Sequence, residues 1–521
     1  MLIFSHLAQG YRGICIQIEA DVRNGFPGFD IVGLPDSTIR EARERIRSAI
    51  RNSGFKFPAQ RILVNLAPAH IPKTGTELDA AIAVAILLAG IHVLSLPAAP
   101  LMITGELALD GHIRGNMSLS AVESARLVGC RTILSPESHL ASLSYNEQNE
   151  HHSPENHQDT IVVHPVRTLK EAFQAAQEHI KNHKSIITSV KKDNESYPLP
   201  PLSPFQGITG MKEARRALEI AAAGRHDVLL FGPSGSGKTM IASRFIQLIP
   251  PLGSMEAKER LLVWESCRNR QEAQEGIGTI LPHDCTSRQV LGSIRTASPG
   301  QGALHHGSVL FLDEITAYAP KVLETIKEIH DEGKTILQMN DGRHIVYPSV
   351  FQVIATMNAC PCGRLGMEKN SCLCSDKEIR HFWKKVPAPI LDRFDIRLPI
   401  IPEDFSVPLE TSQDDELPAR ITNAVCRQDE RFAESPQHYH RNGDIVRGPA
   451  LDFFPKLPEI LKLLRSFPAT ASFSVRGLLC TAAVARTIAD LDDSDSIRAC
   501  HMEEAIGMRK FAGTDIFWRN L

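Results

Sequence analysis

Gly232-Pro233-Ser234-Gly235-Ser236-Gly237-Lys238-Thr239 satisfies the spacing G-x-x-x-x-G-K-[ST]. The apolar run Val228 to Phe231 before it and the helical pattern Met240 to Phe245 after it supply the strand and helix such a loop requires. These residue types suit phosphate. The glycines let backbone N–H groups converge on β- and γ-phosphates, and the helix start adds the positive end of its dipole. Lys238 brings a point charge, and Thr239 offers an oxygen to Mg²⁺. Further on, Val309-Leu310-Phe311-Leu312 reads as a buried strand ending in Asp313 and Glu314. Alone, two acids there would mark a helix start. Beside a phosphate-binding loop, Asp313 is placed to hold Mg²⁺ and Glu314 to polarise an attacking water.

Two more groups lie downstream. Phe351 to Met357 is another buried-strand candidate, and Asn358 at its carboxyl end can bridge the attacking water or the γ-phosphate, or simply cap a turn. Cys360 and Cys362, then Cys372 and Cys374, form two C-x-C pairs separated by nine residues. Four thiolates can close a tetrahedral Zn²⁺ site, although C-x-C is tighter than the usual gap; free thiols or a redox pair are the alternative. Because Cys360 lies two residues after Asn358, a metal there would tie the Asn358 strand to the following loop.

The elements that must position these residues occupy a long chain. Its 521 residues allow about three domains, and 43% apolar with 22% charged residues reads as globular. No run reaches the ~18 uncharged apolar residues of a membrane span; Ala80 to Ile91 reads as a core helix. Met1-Leu2-Ile3-Phe4-Ser5-His6 shows no secretory pattern, so the cytoplasm is expected. Eleven cysteines, an odd number, argue for a reducing compartment rather than a disulfide framework. A net charge of −3 excludes a globally basic nucleic-acid binder and leaves local patches.

In chain order, residues 1–177 read as an α+β module, with strands near 13–20 and 61–66 and helices near 39–53 and 78–88. Residues 143–160 read as a polar mobile loop, and 178–203, closing on Tyr197-Pro198-Leu199-Pro200-Pro201, as a linker. The nucleotide-binding α/β core spans 204–402. An acidic surface connection, Glu403 to Glu416, opens a helical region over 403–521, with period-3.6 patterns at 421–432, 457–467, 474–491 and 502–508. Asn340-Asp341-Gly342 between strand-like runs marks a hairpin from Glu332 to Val346. Lys334, Arg343 and His344 on it could touch phosphates without reading sequence, or be ordinary solvated charges. A second candidate loop, Gly292 to Gly302, carries Arg295 between glycines expected to make it flexible.

Ala217 to Gly224, the phosphate loop, the Asp313-Glu314 strand, Ala355 to Gly363 and Leu391-Asp392-Arg393-Phe394-Asp395 together resemble the magnesium-chelatase branch of the AAA+ ATPases, and specifically the ComM/YifB family. Residues 33–36, 73–79 and 104–111 resemble the Lon-protease-like domain that opens those proteins. The resemblance implies ATP and Mg²⁺ as ligands, a C-terminal lid, and a homo-oligomeric ring, expected to be a hexamer, free of the membrane. It makes Asn358 sensor 1, Arg393 the arginine finger reaching a neighbour's nucleotide, and Arg476 the sensor-2 residue contacting nucleotide from the lid. For Arg393 the alternative is an ion pair with Asp392 or Asp395; for Arg476, an exposed helix arginine. Hairpins before sensor 1 project toward the channel in this branch.

Aligned on Lon, the nucleophilic serine falls on Glu77 and the general-base lysine on Ser120, so proteolysis is not expected. A one-residue shift would bring Thr76 or Ser118 into play. Met211, where the family usually has Gln, and His283-Asp284, where it has paired histidines, depart from the pattern. The implied activity is an ATP-driven helicase promoting branch migration as transforming DNA is integrated by recombination, with single-stranded or branched DNA bound irrespective of sequence. A protein-remodelling or chelatase-like motor is the alternative.

Overall fold

Period-2 alternation builds the first sheet. In Arg12–Arg23 (β2), Ile16, Ile18 and Ala20 are buried while their neighbours are wetter, and Ile62, Val64 and Leu66 do the same in Arg61–Ala67 (β4). The computed structural model describes residues 2–34, 37–73, 75–91, 100–115, 117–136, 161–181, 205, 210–267, 278, 280–339, 342–367, 372–401, 416–433, 440–447, 457–471 and 473–509. The chain divides into two units, Met1–Tyr197 and Pro198–Leu521. The expected mobile loop at 143–160 lies outside the described residues. So do Asn340 and Asp341 of the hairpin turn, 403–415 of the acidic connection, and the expected linker apart from residues 178–181.

In the first unit, Leu2–Gln9 (β1), β2, Gly28–Val32 (β3), β4, Leu101–Ile103 (β5), Thr132–Ser135 (β8) and Val162–Pro165 (β9) form a mixed sheet. Glu106–Leu107 (β6) and Ile113–Arg114 (β7) make a small separate ribbon. The large sheet runs in the order β3-β4-β2-β1-β5-β8-β9. Ser37–Asn52 (α1), Asp79–Gly90 (α2), Leu119–Leu127 (α3) and Leu169–Lys181 (α4) accompany it. Asp79 to Leu88 of α2 are all buried, as a helix apolar on every side must be. Among the described residues no helix is long and apolar enough to cross a membrane. Helix α4 runs to Lys181, so the boundary expected at 177 falls inside a helix; the amphipathic pattern of Ala172, Phe173 and Ala176 carries it through.

The second unit is built on four parallel strands, Val228–Gly232 (β10), Val309–Leu312 (β13), Gln352–Asn358 (β16) and Ile396–Pro399 (β17), in the order β13-β16-β10-β17. Alternate residues enter different cores: Val228 and Leu230 join one, Leu229 and Phe231 the other, and β13 divides likewise. Burial on both faces explains why these strands read as unbroken apolar runs. The start of β10 is anchored by side chains. His226 bonds Asp395 (3.1 Å) and Thr487 (2.8 Å), while Asp227 accepts the Val353 N–H (2.8 Å) and pairs with His330 (2.9 Å).

The C-terminal helices Leu417–Phe432, Leu457–Arg465, Val475–Leu491 and Ala499–Gly507 bury Ile421, Leu464, Leu478 and Met502 in the core that also holds Leu218, Val228 and Ile396. The region read as a lid thus shares a core with the helix Lys212–Gly224 and one face of the sheet.

Candidate active site

The carboxyl ends of β10, β13 and β16 meet, with Gly232 paired in register with Asn358. Gly232 has no room for a side chain, since a Cβ there would lie 2.2 Å from the Ile400 carbonyl oxygen. Gly235 (φ 77°) and Gly237 (φ 85°) take the left-handed conformation that lets the loop curl into the helix Lys238–Arg244. Lys238 Nζ donates to Pro233 O (2.7 Å), Gly232 O (3.2 Å) and Asn358 Oδ1 (3.3 Å), so the ammonium sits at the mouth of the loop. Burial lowers its pKa, an effect that the charges of Glu314 and Asp313 oppose. The buried Ser236 hydroxyl has no partner among the described residues, an unsatisfied group that suits a bound phosphate.

Asp313 and Glu314 leave β13 in different directions. Asp313 Oδ1 accepts from Thr239 Oγ1 (2.8 Å) and Thr356 Oγ1 (2.6 Å). A carboxylate facing a hydroxyl is the oxygen-only donor set that Mg²⁺ takes, together with substrate phosphates. Glu314 sits at φ 47°, ψ 66°, a left-handed conformation that is strained for a residue with a side chain. Its N–H donates to Thr356 Oγ1 (2.9 Å), and its Oε1 accepts from Thr316 Oγ1 (2.8 Å) and the Asn358 N–H (3.4 Å). Lys238, Thr239, Asp313, Glu314 and Asn358 are therefore joined in one hydrogen-bonded network.

Three members of this network escaped sequence reasoning. Thr356 bonds both acids, and a signal existed: on a strand it shares a face with Asn358, two residues on. Thr316 holds the Glu314 carboxylate. His283 Nε2 donates to Asp313 O (2.8 Å) and meets the Tyr318 ring edge-on, so the loop that departs from the family pattern touches the acid pair. Met211, the other departure, adopts φ 53°, and a Cβ on Gly237 would lie 2.5 Å from its methyl group.

The two arginines come together elsewhere. Arg393 forms a bidentate pair with Asp331 (2.6 and 2.5 Å). Its expected alternative partners are engaged otherwise: Asp392 by Arg509 (3.0 Å), Arg397 (3.3 Å) and Ser474 (3.1 Å), Asp395 by His226. Ser474 caps the helix Val475–Leu491 as expected, accepting the Gly477 N–H at 2.9 Å. Arg476, on that helix, adds its charge to Asp331, and its buried Nε has no partner among the described residues. Burial disfavours the Asp331 carboxylate, but Arg393 outweighs it and holds the carboxyl below its usual range. Arg393 is thus paired with Asp331, and the charge of Arg476 acts on the same carboxylate.

The hairpin forms as expected from Lys334–Gln338 (β14) and His344–Pro348 (β15). Lys334 and His344 are exposed, with Ile336 and Val346 paired between them; Arg343 is half-buried at the turn end. The second loop is a two-rung ribbon, Gly292–Ser293 (β11) with Ser298–Pro299 (β12), carrying an exposed Arg295. Its glycines are held closely, which the expectation of a flexible loop did not include. A Cβ on Gly292 would lie 2.4 Å from Ser298 O, and one on Gly300 2.5 Å from Val290 O, so they permit close packing. Tyr347 Oη donates to Ala297 O, joining the two loops. The four cysteine Sγ atoms lie within 4.8 Å of one another.

Family models described as "Magnesium chelatase, subunit ChlI", "Subunit ChlI of Mg-chelatase" and "Magnesium chelatase, subunit ChlI C-terminal" match residues 204–406, 18–139 and 411–509. "Competence protein ComM" of Haemophilus influenzae is 32% identical over 521 residues, 98% of this chain and 97% of its own length. "Uncharacterized protein YifB" of Escherichia coli K12 is 31% identical over 517 residues, 98% of this chain and 96% of its own. The chain belongs to the ComM/YifB family. As a ComM/YifB-family member it is a magnesium-chelatase-like AAA+ protein, a multidomain α/β chain whose site suits ATP and Mg²⁺. A mycobacterial relative from Mycobacterium tuberculosis H37Rv, 30% identical over 518 residues (97% of this chain, 98% of its own), extends the ComM/YifB likeness along the chain.

Proposed function

We propose that this protein is a cytoplasmic ATP-driven ring motor, a hexamer of this chain, that moves on single-stranded or branched DNA and promotes branch migration during uptake-linked recombination. The network joining Lys238, Thr239, Asp313, Glu314 and Asn358 carries the ATPase reading. Mg²⁺, when bound, would neutralise charge on the transferring phosphoryl group. Thr239 and Asp313 would hold it, Lys238 would bind phosphate oxygens in place of the loop carbonyls, and Asn358 would fix the position of the water that Glu314 polarises. Likeness to a relative named for competence supports DNA as the client. So do exposed Lys334, His344 and Arg295 on two loops joined through Tyr347. The helices after Leu417 act as the lid in this reading. In this reading the first unit serves as a Lon-like module without proteolytic activity, because Glu77 and Ser120 stand where the aligned serine and lysine of a Ser-Lys dyad would be.

The apolar pair Ile336–Val346 on the exposed hairpin face supports a second reading, a protein client. ATPase rates with and without single-stranded and forked DNA separate the two. DNA should stimulate the wild type, and Glu314→Gln should lose ~10²–10⁴-fold in rate while still binding ATP. Lys334→Ala with Arg343→Ala should weaken DNA binding with ATP binding retained. A rate indifferent to DNA would overturn the helicase reading and favour a protein client.

A further inference from the structure

We propose that Cys360, Cys362, Cys372 and Cys374 hold a zinc ion and that this centre braces the phosphate-binding loop from outside. The sulfurs are spaced for a shared metal. Cys360 to Cys362 is 3.3 Å, and Cys372 lies 3.5 Å from each of them. A disulfide requires about 2.05 Å, whereas four thiolates at about 2.3 Å from a tetrahedral zinc stand about 3.8 Å apart.

Two rigid ends deliver the ligands. Cys360 follows the last residue of β16 by two positions, and Cys374 directly precedes Ser375, whose capping box with Glu378 fixes the start of the helix Asp376–Trp383. Leu365, Cys372 and Cys374 pack against the edge of the core that holds Cys360. Cys362 is exposed, Cys372 and Cys374 are half-buried, and Leu373 is 87% exposed. With Cys362 and Leu373 facing solvent, a thiolate-bound metal would add the cross-link that ties the exposed ligand to the buried Cys360.

That turn sits on the phosphate loop. Gly363 O accepts the Ser234 N–H at 2.7 Å, and the Ala359 N–H donates to Gly232 O at 3.0 Å. Gly363, at φ 70°, leaves its absent Cβ 3.1 Å from the Ser234 Cβ, and the corresponding point on Gly366 lies 3.5 Å from Pro233 Cδ. Pro233 and Ser234 are thus held by the segment the four cysteines close. Losing the metal releases Gly363 and lets the loop relax from the curl that receives phosphate. This bracing role rests on the ATP-site reading, whereas the metal centre itself does not.

The test uses the full chain purified without added metal. Zinc content by mass spectrometry should be one per chain. Replacing it with Co²⁺ should give the visible bands of a tetrahedral thiolate site, and Cys362→Ser with Cys374→Ser should abolish both. Wild type stripped by chelator should bind a fluorescent ATP analogue about tenfold more weakly, recovering on zinc addition, as loss of an outer support costs elsewhere. Sub-stoichiometric zinc without the cobalt bands overturns the centre. Unchanged nucleotide affinity after stripping overturns the brace. A zinc-loaded chain that binds no nucleotide overturns the ATP-site reading and the brace together, while the cobalt spectrum still decides the metal.

Discussion

Thr356 holds the two acids of the site in different roles: it donates to Asp313 (2.6 Å) and accepts the backbone N–H of Glu314 (2.9 Å). Its hydroxyl therefore fixes an Asp313 oxygen and the left-handed Glu314, which in the proposed mechanism would hold Mg²⁺ and polarise water respectively. It touches no reacting atom in this arrangement and acts by positioning. Thr356→Val keeps the shape and removes the hydroxyl. Turnover should fall ~10–100-fold, as when outer-shell partners of metal ligands are lost, with ATP affinity at the Lys238 loop little changed. Turnover and KM measured across a Mg²⁺ titration check this, and a wild-type Mg²⁺ dependence in the variant would count against it. The phosphate-binding loop and the Asp313-Glu314 pair were legible in the sequence because they are tied to fixed spacings. Thr356, Thr316 and His283 were not, because a hydroxyl or imidazole gains its role only when strands distant in sequence lie side by side.

Elements were legible where their apolar patterning was strong. Strands β10, β13 and β16 are buried on both faces and show as continuous apolar runs. Less visible was what the first unit does with its polar residues. His6 on β1 is buried against Ser118, Ser120 and Ser124 of the α3 region, and Gly13 on the neighbouring β2 leaves space for its ring, since a Cβ there would lie 1.8 Å from it. Burial pulls the His6 pKa from its ordinary 6.5 to about 4, so the folded unit holds a neutral imidazole. The folded value is depressed, so the stability tied to the neutral ring is fully present above about 6.5 and is lost as pH falls toward 4. The displacement corresponds to about 3 kcal/mol at acid pH. Hydrogen exchange in residues 2–23 of the full chain should accelerate between pH 6.5 and 4.5 beyond the intrinsic pH effect. In His6→Gln that excess should vanish, whereas an identical pH response in the variant would assign the effect to other groups.

At the scale of the whole molecule, the proposed ring makes Arg393 the residue that decides whether activity belongs to one chain or to an assembly. Its pair with Asp331 is bidentate and partly exposed, 22% and 28% at the two side chains; exposed pairs are worth about 1 kcal/mol or less, and the bidentate geometry puts this one at or somewhat above that range. An arginine placed on transition-state charge gains ~10³–10⁵ in rate, about 4–7 kcal/mol, so a neighbour's nucleotide can outbid Asp331. In the proposed ring, Asp331 would be a resting partner that orients the guanidinium, with the charge of Arg476 also acting on it. Arg393→Ala should therefore lower the ATPase rate by ~10³ while each chain still binds ATP. Glu314→Gln should be equally inactive for a different reason, since its own site cannot polarise water while its Arg393 is intact. Mixing the two inactive proteins makes the decisive case. Where a Glu314→Gln chain offers Arg393 to the intact acid pair of an Arg393→Ala neighbour, one complete site forms, and activity should reappear in proportion to such junctions. If the mixture stays as inactive as its components under conditions where wild-type chains assemble, Arg393 works within its own chain and the ion pair with Asp331 is structural.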